Sequence, residues 1–436
     1  MRYGSVSKKG VSISHDIVIF MSLSETLKER GYVNQHSSKT LEEVTDGEKR
    51  SLYLGIDPSA DSLQVGQLMS FLFLRRFLED GHKVILVIGG GTGMIGDPGG
   101  KSAERPLLNA ETVAANAEKI AEQAKHLFGS SDFTLVNNAD WLSDLKMIEF
   151  LRDVGKHFTV NAMLSKDFVK DRIKNPEEGI SYTEFSYALL QSYDYLHLHD
   201  ELKCDLQVGG SDQWGNIVSG VDFIRRKTGD TVYALTWPLL INKATGKKFG
   251  KSESGTVWLD PSKTSPYAFY QFWINSDDEA VEDYLLKMTM LSRLEIDAAL
   301  ELHRRNKGER YAQHLLAREV TTLVHGAEVA ETAKALTEIL FGRKDIATLD
   351  DKTREMLQKE APSCAVQEGE SILDVLVRSG LATSKREARQ LLSDKGVSLG
   401  SEIVQDLERT VASNDFQNGV TILRRGGRKV CVLTLV

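Results

Sequence analysis

Leu52-Tyr53-Leu54-Gly55-Ile56-Asp57 alternates strictly, so Leu52, Leu54 and Ile56 share one face of a strand while Tyr53, Gly55 and Asp57 share the other. Directly behind it comes Pro58-Ser59-Ala60-Asp61-Ser62-Leu63-Gln64-Val65-Gly66-Gln67-Leu68, a turn into a helix whose Gly66 allows close backbone approach at its start. A parallel strand buried on both sides is apolar on both faces. The polar face here is therefore either a solvated edge or a pocket at the carboxyl end of the strand, where open α/β sheets bind ligands. These residues alone leave both readings open.

The same strand–turn–helix unit recurs outward from this stretch. Strands are expected at Leu52–Ile56, Val84–Ile88, Phe133–Val136, Asp205–Val208 and Val232–Leu235, the first four leading through Gly- or Asn-rich turns toward helices. That alternation predicts an α/β fold, a Rossmann-like parallel sheet covered by helices on both faces. Pro266 to Leu340 then reads as helix after helix, broken at Ser292, Lys307–Gly308 and Gly326. The expected organisation is a catalytic domain over 21–245, a loop and α-helical domain over 246–342, a linker over 343–370 and a small α+β domain over 371–436. Residues 1–20 read as an extension ahead of a natural start at Met21, with Ser24 capping a helix through Arg30. Arg2, Lys8 and Lys9 ahead of a single acid also allow an organellar presequence.

Composition bounds the function. With 41% hydrophobic and 27% charged residues over 436 positions, the chain has ordinary globular composition. No apolar run approaches the roughly 18 residues of a membrane span. Three scattered cysteines, Cys204, Cys364 and Cys431, support neither a disulfide framework nor a zinc site, which favours a reducing compartment such as the cytoplasm. The net charge of −8 excludes a basic surface over the whole chain. Ser371–Val436, however, carries ten Lys/Arg against seven Asp/Glu, a net +3 that leaves −11 for the rest. A basic tail on an acidic body predicts local contact with a polyanion.

Three glycine-rich stretches imitate nucleotide motifs. Gly91-Thr92-Gly93-Met94-Ile95-Gly96 matches the dinucleotide pattern, but Asp97-Pro98-Gly99-Gly100 continues it as a loop, whereas that pattern needs a helix N-terminus directly behind. Gly96-Asp97-Pro98-Gly99-Gly100-Lys101-Ser102 and Gly246-Lys247-Lys248-Phe249-Gly250-Lys251-Ser252 are each one residue too short between glycines for a P-loop. Both remain basic, glycine-rich segments suited to phosphates.

Two further stretches could carry chemistry. A helix around Thr183–Leu196 sets Tyr187, Gln191 and Asp194 at i, i+4 and i+7, one face, which by itself is also the polar side of an amphipathic helix. Gln207-Val208-Gly209-Gly210-Ser211-Asp212-Gln213-Trp214 runs a strand through two glycines into an Asp-Gln pair at a helix start, a shape suited to a ribose; a plain turn into a helix competes with it.

Together these residues resemble the bacterial-type tyrosyl-tRNA synthetases, class I aminoacyl-tRNA synthetases, essentially from Met21 to Val436. Pro58–Leu68 occupies the place of the family's HIGH motif, and Lys248-Phe249-Gly250-Lys251-Ser252 resembles its KMSKS loop. Phe150–Phe158, Gly179–Tyr187, Gly209–Asn216 and Ser265–Asn275 are similar to the family as well. The resemblance implies activation of L-tyrosine by ATP with Mg²⁺ and without a prosthetic group or a resident metal, then transfer to tRNA(Tyr). It also implies a homodimer, through Phe150–Phe158, and neither DNA nor membrane as partner. Carried over by residue, Tyr53 and Asp194 would bind the phenolic hydroxyl of tyrosine. Asp97, Tyr187 and Gln191 would hold its ammonium, with Gln213 near the carboxylate. Gly55, Asp57, Gly66, Gly210, Asp212 and Lys251 would line ATP. Ser59, Gln64, Gln67, Lys101, Arg105, Lys248, Lys251 and Ser252 would be the catalytic set: Lys101, Arg105, Lys248 and Lys251 would close on the pyrophosphate, Gln64 would donate to it as it departs, and Gln67 would orient the backbone or nucleotide. Gln64 and Gln67 stand where the family shows two histidines, and Ser59 where it shows threonine.

The tail resembles the S-four type of RNA-binding domain, and Ser384-Lys385-Arg386-Glu387 is a capping-box pattern. Lys385, Arg386 and Arg389 share one helical arc, and Arg424, Arg425, Arg428 and Lys429 form a second basic group. Both are candidate contacts to tRNA phosphates. Two other readings stand beside the ligase. One is a synthetase-derived RNA-binding protein with lost or weakened adenylation, favoured only by the glutamine pair. The other is a tryptophan substrate, whose pocket has no need of Asp194.

Overall fold

The structure, a computed structural model, describes residues 21–98, 108–129, 132–166, 169–170, 173, 179–240, 249, 251–252, 255–341, 346, 350–427 and 429–436. Six strands form the main sheet: β1 Gln35–His36, β2 Ser51–Ile56, β3 Lys83–Ile88, β4 Thr134–Asn137, β5 Leu206–Gly210 and β6 Tyr233–Trp237. They lie in the order β1-β6-β5-β2-β3-β4, all parallel except the two-residue edge β1, which runs antiparallel to β6. The five strands expected from the sequence are all present, each within two residues at either end.

Both faces of the sheet are covered. Leu52, Leu54, Ile56, Val84, Leu86 and Ile88 join one hydrophobic core, whereas Tyr53, Ile85 and Val87 join another on the opposite face. The first face is packed by α2 (Val65–Glu79) and α3 (Ala110–Phe128), and the second by α4 (Tyr182–Leu202) and α5 (Trp214–Thr228). The short helix α1 (Leu23–Glu29) precedes them. Its cap is Ser22 rather than the expected Ser24. Ser22 Oγ accepts from Glu25 N while the Glu25 carboxylate accepts from Ser22 N, and Ser24 is instead drawn onto Asp46.

Helices between Pro266 and Phe341 follow, with breaks where expected: Ser292 caps Arg293–Arg305, a 3₁₀ turn spans Lys307–Glu309, and Gly326 takes a φ of +91° between the last two. The stretch expected as a linker, 343–370, holds a helix, Asp351–Glu360, whose Glu360 accepts from Ser265 Oγ, and a strand, Ser363–Val366, lying parallel to Lys429–Leu435. That strand is one edge of a five-stranded sheet that, with helices Ile372–Arg378 and Lys385–Ser393, surrounds a core of its own.

Candidate active site

β2 and β5 are neighbours at the centre of the sheet, and the chain leaves β2 toward β3 but β5 toward β6. This is a topological switch point, where the two connections diverge and leave a crevice beyond the carboxyl ends of the strands. A cavity of about 420 Å³ occupies that crevice. Of the two readings of the Tyr53/Gly55/Asp57 face, the structure selects the pocket. Gly55 contributes open space, since a Cβ there would meet nothing within 4 Å.

Each element delivers its residues by periodicity. β2 and the residue after it bring Tyr53, Gly55 and Asp57, the following turn brings Ser59 and Gln64, and the first turn of α2 brings Gly66 and Gln67. α4, capped by Ser181, turns Tyr187, Gln191 and Asp194 into the cavity together. Gly210, Asp212 and Gln213 arrive behind β5, and Asp97 comes from the loop after β3. That loop makes a 3₁₀ turn at Thr92–Met94, and among the described residues no helix follows it directly, whereas the dinucleotide pattern needs one. Lys101, Arg105 and Lys248 lie outside the described residues, as do residues 1–20 and the side chains of Lys251 and Ser252.

The hydrogen bonds divide the pocket into zones. At one, Asp194 is buried and accepts from Asn138 Nδ2 at 2.9 Å and from Trp141 Nε1 at 2.7 Å, one donor on each oxygen. Burial nevertheless dominates and raises its pKa to about 7, the two donors pulling the other way. Tyr53, also buried, has a hydroxyl with no partner among the described residues, and burial with the nearby Asp194 charge raises its pKa. Gln207, paired in register with Tyr53 across β2 and β5, presents a buried Oε1 that is likewise unpartnered among the described residues. Buried polar atoms left so are sites for a ligand to satisfy.

At the next zone, Tyr187 donates its hydroxyl to Asp57 Oδ2 at 2.7 Å, and Thr92 donates to Asp57 Oδ1 at 2.7 Å. Gly89 makes this possible, because a Cβ there would lie 2.1 Å from Asp57 Oδ1. Gln213 Nε2 donates to Asp97 Oδ2 at 2.6 Å, and Gln191 Oε1 is buried without a partner among the described residues. Anionic and acceptor groups dominate here, which suits an ammonium. At the third zone α2 begins: Gln67 Oε1 accepts from the Gln64 backbone N–H at 3.0 Å, capping the helix from inside. The positive end of its dipole faces the cavity, which suits phosphate.

Sequence reasoning missed Asn138, Trp141, Thr92 and Gln207. Asn138 and Trp141 follow β4, and only the fold brings them to Asp194. Asn138 also donates to Thr92 Oγ at 2.9 Å, so it links two zones.

The tail candidates do not form one patch. Arg386 and Arg389 are exposed on Lys385–Ser393, and Lys385 pairs with Asp374 at 2.5 Å. Arg425 donates to Leu381 O and pairs with Glu387, both at 2.8 Å. Arg424 is spent internally, donating to Gly400 O at 2.8 Å, Ile339 O at 2.7 Å and Leu340 O at 3.3 Å. It thereby caps the carboxyl end of the helix Ala327–Phe341. Arg428 lies outside the described residues.

Comparison with known proteins gives the family. Residues 45–342 match the family described as tRNA synthetases class I (W and Y), and residues 353–433 match the tyrosine–tRNA ligase SYY-like C-terminal domain. The tyrosine–tRNA ligase of Roseiflexus castenholzii is 45% identical over 94% of this chain and 98% of its own length. That of Staphylococcus haemolyticus is 46% identical over the same shares. Among solved structures, a C-terminally truncated mitochondrial tyrosyl-tRNA synthetase of Aspergillus nidulans superposes with a TM-score of 0.66 at 31% identity, covering 73% of this chain and 94% of that one.

Proposed function

We infer the chemistry of this pocket from the family to which the chain belongs, the class I tRNA synthetases, within which it is a tyrosine–tRNA ligase. The enzyme joins tyrosine to ATP and passes it to tRNA. The observation that carries the residue-level reading is that Tyr53 and Asp194, both buried, line the same cavity. The substrate phenol donates to the Asp194 carboxylate and accepts from Tyr53, so that the buried Tyr53 hydroxyl gains a partner. Asn138 and Trp141 hold the carboxylate in place from behind. A substrate without the hydroxyl leaves the Tyr53 hydroxyl unpaired and the Asp194 carboxylate with its two protein donors alone.

The substrate ammonium lies between Asp97, Gln191 Oε1 and the Tyr187 oxygen, whose proton is directed to Asp57. The tyrosine carboxylate attacks the α-phosphorus of ATP, the bond from that phosphorus to the bridging oxygen breaks, and pyrophosphate leaves. A ribose hydroxyl of the terminal tRNA adenosine then attacks the tyrosyl carbonyl, and AMP leaves. Neither step needs an enzyme nucleophile, so rate comes from placement and charge stabilisation. Gly55, Asp57, Gly210 and Asp212 line the nucleoside. Ser59, Gln64 and the start of α2 meet the phosphates, and Lys101, Arg105, Lys248, Lys251 and Ser252 are assigned the departing pyrophosphate on family resemblance. Mg²⁺ enters as part of the nucleotide substrate, held by phosphate oxygens and water. Both Asp57 oxygens already accept protein donors and Asp97 accepts from Gln213, which fits a metal held by phosphates.

The C-terminal domain is proposed to bind tRNA(Tyr) through Lys385, Arg386 and Arg389. A homodimer is proposed through the surface around Phe150–Phe158. Phe150 and Phe158 themselves pack inward, but Met147 and Ile148 are each 75% exposed and Val160 is 60% exposed. A cytoplasmic location is proposed from the bacterial relatives. Among the described residues no helix is long and apolar enough to cross a membrane. Tyrosine-dependent exchange of pyrophosphate into ATP tests the reading. Exchange that phenylalanine or tryptophan supports equally well would refute the assignment of Tyr53 and Asp194.

A further inference from the structure

The turn that carries Gln64 into α2 is held from two sides by groups that the chemistry above does not use. From α3, Gln123 Oε1 accepts from Leu63 N at 2.7 Å and Gln123 Nε2 donates to Ser62 Oγ at 3.0 Å. From the segment at 257–264, Leu259 N donates to Leu63 O and Val257 O accepts from Val65 N, both at 2.9 Å, so that Gln64 and Trp258 form an antiparallel bridge. Asp61 joins the two sides. Its Oδ2 lies 2.9 Å from Lys119 Nζ on α3, and its Oδ1 lies 2.6 Å from Lys263 Nζ on the second segment. Lys263 is further set against the Trp258 ring, 5.5 Å from its centre. The two lysines, Lys263 foremost, hold the Asp61 carboxyl down to about 2.

We propose that Asp61 is a positioning residue for adenylate formation: by engaging Lys119 and Lys263 at once, it fixes the Gln64 turn between α3 and the segment that follows the Lys248–Ser252 loop. The proposal deepens the ligase reading and rests on it. Its physical basis is a contrast of magnitudes. Asp61 is one-third exposed and Lys119 about half exposed, and exposed ion pairs contribute little to folding. Placement of reacting groups is far more sensitive, since a displacement of about 1 Å costs up to about 10²-fold in rate. A residue that merely supports the fold would lose stability and rate together, whereas a positioning residue loses rate with the fold intact.

The experiment compares full-length parent, Asp61→Asn, Asp61→Glu, Lys263→Met and the Asp61→Asn/Lys263→Met double variant. Single-turnover formation of tyrosyl-adenylate, equilibrium tyrosine binding and thermal unfolding are measured for each. Asp61→Asn keeps the shape and removes the charge. It should slow adenylate formation by about 10-fold, on the scale of that placement effect, with tyrosine affinity within about twofold and little change in melting temperature. The double variant should be no slower than the slower single one, because both remove the same tie. Asp61→Glu should recover part of the rate. Adenylate formation by Asp61→Asn within about twofold of the parent, multiplying losses in the double variant, or a rate loss matched by unfolding would each overturn the proposal. No adenylate from the parent would overturn the ligase reading itself.

Discussion

Replacing Asp194 by asparagine should abolish a pH dependence that the parent enzyme shows in tyrosine binding. In the folded protein the Asp194 carboxyl titrates near 7, chiefly because it is buried. Only its ionised form can accept the substrate hydroxyl while also accepting from Asn138 and Trp141. If tyrosine binds that form alone, the competent fraction is about 90% at pH 8 and about 10% at pH 6, so affinity falls about tenfold on acidification. The linkage has a second sign. A carboxyl raised above its unfolded value near 3.9 holds its proton more tightly when folded, so ionisation between about pH 4 and 7 weakens the ligand-free fold. Asparagine removes both effects. It also replaces a charged acceptor, worth about 1.5–3 kcal/mol, which lowers kcat/KM for tyrosine by roughly 10- to 150-fold at pH 8 and leaves phenylalanine nearly unaffected. Equilibrium tyrosine binding between pH 6 and 8, with exchange kinetics for both amino acids, measures these quantities. A parent affinity that is flat across this range, or a variant that keeps both its slope and its discrimination, refutes the placement of the phenol on Asp194.

Trp141→Phe removes one of the two donors that oppose burial, so the acid limb of tyrosine binding should move to higher pH than in the parent; an unmoved limb would detach Trp141 from that carboxylate. Gln64→Ala should slow adenylate formation by about 10²–10³ with little change in tyrosine affinity, as expected for loss of one preorganised donor to the departing phosphates, and Gln64→His should be tolerated or faster. Gln67→Ala should cost less, because its amide oxygen caps the Gln64 N–H, and a loss larger than that of Gln64→Ala in single-turnover assays would reverse these roles. Ending the chain at Ala361, ahead of the Ser363–Val366 strand, should leave adenylate formation nearly intact and sharply weaken tRNA charging, the lost part being salt-sensitive. Full charging by that truncation would remove the C-terminal domain from tRNA binding. Ile148→Asp should convert a dimer to monomer in sedimentation, and an unchanged oligomeric state would move the interface elsewhere.

What the sequence disclosed, and what it hid, follows from the range of the interactions. Strand β2 was legible because its alternation is local, and Tyr187, Gln191 and Asp194 were legible because one helical face repeats every three or four residues. Local pattern could not say whether this face lines a cavity or forms a solvated side. The structure decides it by setting α4 against the crevice between β2 and β5. The partners of Asp194 were illegible for the converse reason: Asn138 and Trp141 lie more than fifty residues upstream, on a connection with no distinguishing period. Ser363–Val366 was lost in the expected linker because four residues carry little alternation, and its partner strand lies far downstream. Edge strand β1 was missed because two residues give no pattern at all. At α1 two serines competed for the cap, and the choice fell to Asp46, twenty-two residues away, which holds Ser24.

The central claim is that the cavity between β2 and β5 recognises the tyrosine hydroxyl through Tyr53 and Asp194 and couples it to ATP. Steady-state exchange of labelled pyrophosphate into ATP, with tyrosine, phenylalanine and tryptophan in parallel for the parent, Tyr53→Phe and Asp194→Asn, tests it most directly. The account predicts exchange with tyrosine alone in the parent, and in each variant a loss of kcat/KM for tyrosine that narrows the gap to phenylalanine. A parent that exchanges without regard to the hydroxyl, or variants that discriminate as the parent does, would contradict it.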